Sequence, residues 1–293
     1  MKTLNRYLQD TYGKKLYKLS LNGGMTCPNR DGTVGTGGCL FCSAGGSGDF
    51  TPSPTLSMDE QIAQAKALVA AKCGEASQFI AYFQAYTNTY APVERLRALF
   101  EPVIVREDIA ILSIATRPDC LSEEVVALLA ELNRKKPVWV ELGLQTIHEE
   151  SAQRMRRGYA LPVFDDAVER LQRAGISVIV HLILYWPGET EEDMLASVRY
   201  VAKKGVFGVK LQLLQVLSGT ELAAQYEREP FPLPTLEEYA AFLKKALREL
   251  PEDMVIHRIT GDGPRNLLIA PKWCADKKKV MNYLNRELKL PMM

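Results

Sequence analysis

Apolar, β-branched runs alternate with amphipathic stretches along most of this chain, and that alternation limits its fold more than any other feature. Strand chemistry falls at 15–21, 79–84, 109–116, 138–144, 177–184 and 209–216. Helical periodicity falls between them, at 56–71, 93–105, 122–133, 163–174 and 191–204. Near-continuous hydrophobicity indicates strands buried on both faces, as in a parallel sheet. Ser122, with Glu124 and Val125 behind it, reads as a helix start, while Gly175 and Gly205 stand where helices stop. Repeated β–α units of this kind predict an α/β fold: a partial (β/α)6 TIM-like barrel of parallel strands, with an open doubly wound sheet as the other topology. Past Val216 the rhythm changes to a helical stretch at 235–250, an extended 254–260, a glycine-rich turn and a basic helix at 276–288. No low-complexity linker intervenes. The expected organisation is a barrel over 1–225 and a C-terminal α/β extension over 226–293 packed on it as one structural unit.

A length of 293 residues suits a single barrel of this type. No apolar run reaches the roughly 20 residues of a membrane span, and residues 1–7 lack the apolar core of a secretory signal. The expectation is a cytoplasmic protein with no membrane contact, in which the six cysteines stay out of disulfides. The net charge of +1 conceals an uneven distribution. Residues 1–30 carry six Lys or Arg against Asp10, and residues 257–293 carry eight against three acidic side chains. Basic ends around an acidic body fit either a polyanion contact or ordinary solvated helix faces.

Three of the six cysteines are clustered. Eleven residues separate Cys27 from Cys39, and two separate Cys39 from Cys42. Glycines in the excursion permit the tight return, because glycine tolerates positive φ. A structural zinc site wants four ligands, and His148, His181 and His257 are all remote in sequence. A dithiol redox pair would use Cys39 and Cys42 and leave Cys27 without a role. A [4Fe–4S] cluster on three thiolates, with one iron open to a ligand, accounts for the odd count. The cysteines follow the first strand, which puts them at the C-terminal face where parallel barrels do their chemistry.

Phe41 makes the end of this segment Cys-x-aromatic-Cys, and the segment resembles the signature of the radical S-adenosylmethionine superfamily. The long first spacing is similar to the elongator-type branch, which includes the radical domain of the tRNA-modifying elongator subunit. Later segments resemble that branch in order: Ser113-Ile114-Ala115-Thr116-Arg117-Pro118-Asp119, then Val140-Glu141-Leu142-Gly143-Leu144-Gln145-Thr146 with Arg156-Arg157-Gly158-Tyr159. His181 through Pro187-Gly188-Glu189 and Leu217-Ser218-Gly219-Thr220-Glu221-Leu222 complete the series. The Cys-Pro-Asn-Arg-Asp-Gly run and the segment from Arg258 through Asp262 to Arg265 are most similar to the stand-alone bacterial YtqA-type family. The acetyltransferase-like domain of the elongator subunit has no counterpart in the sequence.

The resemblance implies a [4Fe–4S] cluster on Cys27, Cys39 and Cys42. It implies S-adenosylmethionine as second cofactor, and a low-potential electron donor such as a flavodoxin or ferredoxin. Cofactor contacts are expected from Phe41, Gln84, Glu141, Gln145, Arg157 and His181. Glu141 and Gln145 stand four apart on one strand and so share a face; Glu141 could instead be a buried carboxylate paired with Arg117 or Arg157. Substrate contacts are expected from Arg117, Arg258, Arg265 and Lys272. The implied reaction is tRNA modification at a wobble uridine, converting a 5-carboxymethylaminomethyl side chain toward the aminomethyl form, with Arg258 or Arg265 on the carboxylate. Two other readings stand beside it: a radical enzyme on a small-molecule or haem-related substrate, and a zinc-stabilised RNA-binding protein.

Overall fold

The structure, a computed structural model, describes residues 2–73, 78–261 and 263–289. Its main sheet has eight strands, all parallel: β1 (Lys2–Thr3), β2 (Tyr17–Leu21), β3 (Phe79–Phe83), β4 (Ile109–Thr116), β5 (Val138–Gln145), β6 (Ser177–Leu184), β7 (Gly208–Leu213) and β9 (Val255–Arg258). Their order is β1-β9-β7-β6-β5-β4-β3-β2. The helices are α1 (Leu4–Tyr12), α2 (Met58–Val69), α3 (Val93–Ile104), α4 (Glu123–Asn133), α5 (Glu149–Arg154), α6 (Leu161–Arg173), α7 (Glu191–Lys203), α8 (Glu221–Arg228), α9 (Leu236–Arg248) and α10 (Lys277–Leu288). A short antiparallel ribbon, β8 (Val216–Leu217) with β10 (Leu268–Ala270), lies beyond the end of β7.

The sheet curls into a partial barrel, as the β–α alternation predicts. In a flat sheet β3 and β7 would lie about 19 Å apart, four strand spacings. Here Lys210 of β7 donates to the Tyr82 hydroxyl of β3 at 3.2 Å across the lumen. The outer face of the sheet packs on the helices in one large apolar core that includes Phe83, Phe100, Leu142, Phe164 and Val180. Ser57, Thr190 and Thr235 begin α2, α7 and α9 with reciprocal capping boxes.

A second, smaller core closes the bottom of the lumen. Leu8 of α1 packs there with Ile80, Ile111, Trp139 and Ile179, each pointing inward from its strand. This plug makes the lumen a cup that opens at the strand C-termini.

Three features depart from the sequence expectation. The region after residue 225 contributes a strand to the main sheet, because β9 pairs with β7 on one side and β1 on the other. The single strand expected over 209–216 is divided, since the chain leaves the sheet after Leu213 and re-pairs with β10. The strand β1 and helices α1, α5 and α8 fall where no helix or strand was expected. No helix of the described residues is long and apolar enough to cross a membrane.

Phe100 is fully buried and meets Phe83 edge-on, with ring centroids 5.0 Å apart. Phe100→Ala should cost about 3–5 kcal/mol, read by chemical denaturation, because the cavity joins helix α3 to the sheet and cannot collapse freely.

Candidate active site

Cys27, Cys39 and Cys42 line one cavity at the open end of the cup. The backbone turns tightly at both places: Arg30 N donates to Cys27 O at 2.8 Å, and Cys42 N to Cys39 O at 3.0 Å. Gly37 and Gly38 take φ of +79° and +84°, and a Cβ on Gly38 would lie 2.9 Å from Arg30 Nε. Arg30 runs beneath the loop and donates to the Cys42 and Ser43 carbonyls at 3.2 and 2.6 Å. Asn29 Nδ2 donates to Arg156 O at 2.5 Å and toward Cys39 Sγ at 3.4 Å. Leu40 N donates to Met155 O, and Leu222 N to Leu40 O, so the loop is bound to the segment after α5 and to the start of α8.

Burial pushes the Cys39 thiol up to about 11, and the neighbouring Cys42 adds to the rise. Burial also raises Cys42, against the pull of Arg30. Buried thiols of this kind give up their protons to a bound cation. Among the described residues no three His, Cys, Asp or Glu groups could hold a single metal ion. A four-iron cluster takes each thiolate on a different iron and so asks for a wider triangle. The all-sulfur donor set at the mouth, with Asn29 aimed at one sulfur, fits such a cluster.

Below the mouth the lumen is polar. Glu141 is fully buried at its side chain and accepts from Lys18 Nζ at 2.8 Å, Ser113 Oγ at 2.9 Å and His181 Nε2 at 2.8 Å, and also from Lys210 Nζ. Burial alone would raise this carboxyl; Lys18, Lys210 and His181 outweigh it and hold Glu141 well below the usual carboxylate range. Burial, with the nearby Lys210, drives His181 down to about 4 against its bond to Glu141. His181 therefore stands neutral, donating from Nε2.

Backbone strain gathers at the rim. Gln145 ends β5 at φ +70°, and its buried Oε1 finds no partner among the described residues. Tyr86 has φ +58° and donates to Ala44 O at 2.6 Å; its ring leaves no room for a Cβ on Gly46, which would lie 2.2 Å away. Gln84 holds the same loop through Ser47 O at 2.7 Å. Strained, non-glycine positions cost about 1–3 kcal/mol each and collect at functional sites.

The expected site residues separate into groups. Phe41, Gln84, Gln145, His181, Arg117 and Arg258 line the cavity, with Phe41 edge-on to Trp186 at 6.1 Å. Glu141 lines it too, but its partners are neither Arg117 nor Arg157: it accepts from Lys18, Ser113, His181 and Lys210. Arg157 lines the cavity as well, and gives its guanidinium to the Leu144, Thr146 and Tyr159 carbonyls and to Glu149, so that it also supports the rim. Arg117 is paired bidentately with Asp119 and reaches Arg157 O at 2.8 Å. Arg265 and Lys272 are exposed and do not line the cavity. Asp262 lies outside the described residues. Sequence reasoning missed Lys18, Tyr82, Ser113 and Lys210. Their signal was a lone polar or tyrosine side chain within an apolar strand, two residues after the inward apolar residue where one is present (Ile80 before Tyr82, Ile111 before Ser113), on the face shared with Glu141 and His181.

Fold and loop together define a class: partial α/β barrels whose chemistry sits at the strand C-termini, beside a three-cysteine loop. The sequence model of the Radical SAM superfamily matches residues 29–201, and that of the Radical_SAM C-terminal domain matches residues 206–290. The protein YtqA of Bacillus subtilis (strain 168) is 44% identical over 286 residues, 98% of this chain and 88% of the relative. The chain belongs to the radical S-adenosylmethionine superfamily and is an enzyme of that class. A tRNA uridine(34) acetyltransferase of Methanocaldococcus infernus is 28% identical over 161 residues, 54% of this chain and 30% of that protein. The solved structure of the archaeal M. infernus Elp3 shares the fold with a TM-score of 0.67 at 17% identity, covering 93% of this chain and 63% of that one.

The depressed His181 value fixes a sign. The fold favours neutral imidazole, so its contribution is complete above about pH 6.5 and is lost as pH falls toward 4. Acid should therefore cost up to about 3 kcal/mol of unfolding free energy across that window, and His181→Asn should flatten the dependence in denaturation measured at pH 7 and pH 5.

Proposed function

We propose that Cys27, Cys39 and Cys42 hold a [4Fe–4S] cluster and that the enzyme modifies tRNA, acting on the 5-carboxymethylaminomethyl side chain of a wobble uridine. The observation that carries the reading is the single cavity with three thiols at its mouth and a polar, hydrogen-bonding lumen below. Sequence similarity to a tRNA uridine(34) acetyltransferase supports RNA as the substrate. The exposed basic run at 277–279, with Arg265 and Lys272, supports a phosphate contact outside the cavity.

Bound at this mouth, the cluster and S-adenosylmethionine would supply the 5′-deoxyadenosyl radical chemistry of one-electron sulfonium cleavage, with the electron from a flavodoxin- or ferredoxin-type donor. The chain's residues supply position and exclusion of water. Asn29 and Arg30 fix the cysteine loop from below. Gln145 offers an unpartnered amide oxygen at the rim, suited to a cofactor hydroxyl or ammonium. The apolar plug under Glu141 keeps bulk water from the lumen floor.

The test is direct. Protein reconstituted anaerobically with iron and sulfide, then reduced, is given S-adenosylmethionine and tRNA from cells lacking it. The expected result is 5′-deoxyadenosine together with conversion of the carboxymethylaminomethyl uridine to the aminomethyl form, both lost in Cys42→Ala. An unchanged uridine profile would overturn the RNA reading. Apparent affinity for tRNA should also fall steeply with added salt, because phosphate contacts release counterions.

A further inference from the structure

Asn29 points an amide N–H at Cys39 Sγ from 3.4 Å. The other neighbours of the amide fix which end faces the sulfur. Its Nδ2 lies 2.5 Å from Arg156 O and 3.4 Å from Arg157 O, and two carbonyls call for the nitrogen there rather than the oxygen. One hydrogen serves the carbonyls, and the second is left for the sulfur.

The residue is held in that place from several sides. It is buried, at 4% exposure. Its carbonyl accepts from Gly38 N at 2.8 Å, one residue before the cysteine that its side chain addresses. Gly158, at φ +83°, makes the room, since a Cβ there would lie 2.6 Å from Asn29 Oδ1. The bond therefore forms away from bulk water, where a dipole acts more strongly on a nearby charge.

A thiolate on an iron–sulfur cluster gains negative charge when the cluster takes up an electron. A hydrogen bond to that sulfur is stronger in the reduced state, which raises the reduction potential. We propose that Asn29 tunes the cluster, making it easier to reduce through the N–H···S bond to Cys39. The inference rests on the reading that the three cysteines hold a [4Fe–4S] cluster. It adds a residue that sets how readily a low-potential donor reduces that cluster. Asn29 is a positioning residue in this role, because it acts through Cys39 and binds no iron itself.

The experiment is a redox titration of the cluster-loaded protein, followed by EPR without S-adenosylmethionine. Asn29→Leu removes the donor and keeps much of the side-chain volume. The reduced-to-oxidised ratio at a fixed donor potential should drop about three- to tenfold, a fall of about 30–60 mV for one electron. Glu221→Ala breaks the Arg156–Glu221 pair at the same corner and leaves the Asn29 N–H in place, so it should not lower the potential. An unchanged potential in Asn29→Leu, or an equal fall in Glu221→Ala, overturns the assignment. A second measurement needs no variant. Wild-type protein labelled with 15N at asparagine should show a weak 15N coupling to the reduced cluster in pulsed EPR. Absence of that coupling overturns the bond even if Asn29→Leu fails to load a cluster. A wild-type protein that gives no reduced [4Fe–4S] signal at all is a different outcome, and it overturns the cluster reading itself.

Discussion

Glu141 is one carboxylate buried among donors from four other strands, and the interior of the barrel is organised around it. Lys18 arrives from β2, Ser113 from β4, His181 from β6 and Lys210 from β7. The hydrogen bonds demand that the sheet curl, since strands that would lie far apart when flat must meet at one side chain. Removing both lysines would leave the Glu141 charge uncompensated in a medium that solvates it poorly, a loss typically of about 3–5 kcal/mol for a buried pair. The tyrosine ring of Tyr82 lies 4.4 and 4.8 Å from the nitrogens of Lys18 and Lys210, and burial holds Lys210 well below the usual lysine range against the pull of Glu141. The polar lumen therefore stabilises the fold and also shapes the chamber.

Above this floor, the cysteine loop is tied to two remote segments. Leu40 accepts from α8 and donates to the residue after α5, while Asn29 grips the 156–157 backbone. The ion pair between Arg156 and Glu221 at 2.6 Å closes the same triangle beside Gly37. A loop fixed at so many points arrives preorganised, which a cluster with one open iron requires if its ligand is to sit at a defined distance from the substrate. The strained Gln145 and Tyr86 belong to this rim, held there by packing that the rest of the barrel supplies.

Much of this was legible in the sequence. The strands at 109–116 and 177–184 begin and end where their apolar runs do, because central parallel strands are apolar on both faces. The cysteine spacing identified the loop, since few other features place three thiols so close. The lumen was harder to read. Lys18 and Lys210 look like interruptions of apolar strands until the curl brings them to Glu141, and no local signal shows that curl. For the same reason the partners of Glu141 were not legible: the arginines considered as alternatives to a cofactor contact, Arg117 and Arg157, are engaged nearer the rim by Asp119 and Glu149. The dual membership of β9 was hidden too, because four residues beside a glycine-rich turn carry little periodicity.

The central claim is that the three thiols of this mouth hold four irons and leave one of them open. Mössbauer spectroscopy on protein reconstituted with 57Fe tests it most directly, with spectra taken before and after S-adenosylmethionine. The account expects a [4Fe–4S] signal in which one iron in four changes its parameters when the cofactor is added, and no cluster in the Cys42→Ala variant. Four irons that stay equivalent with the cofactor present, or a protein that takes up zinc in place of iron, would contradict it.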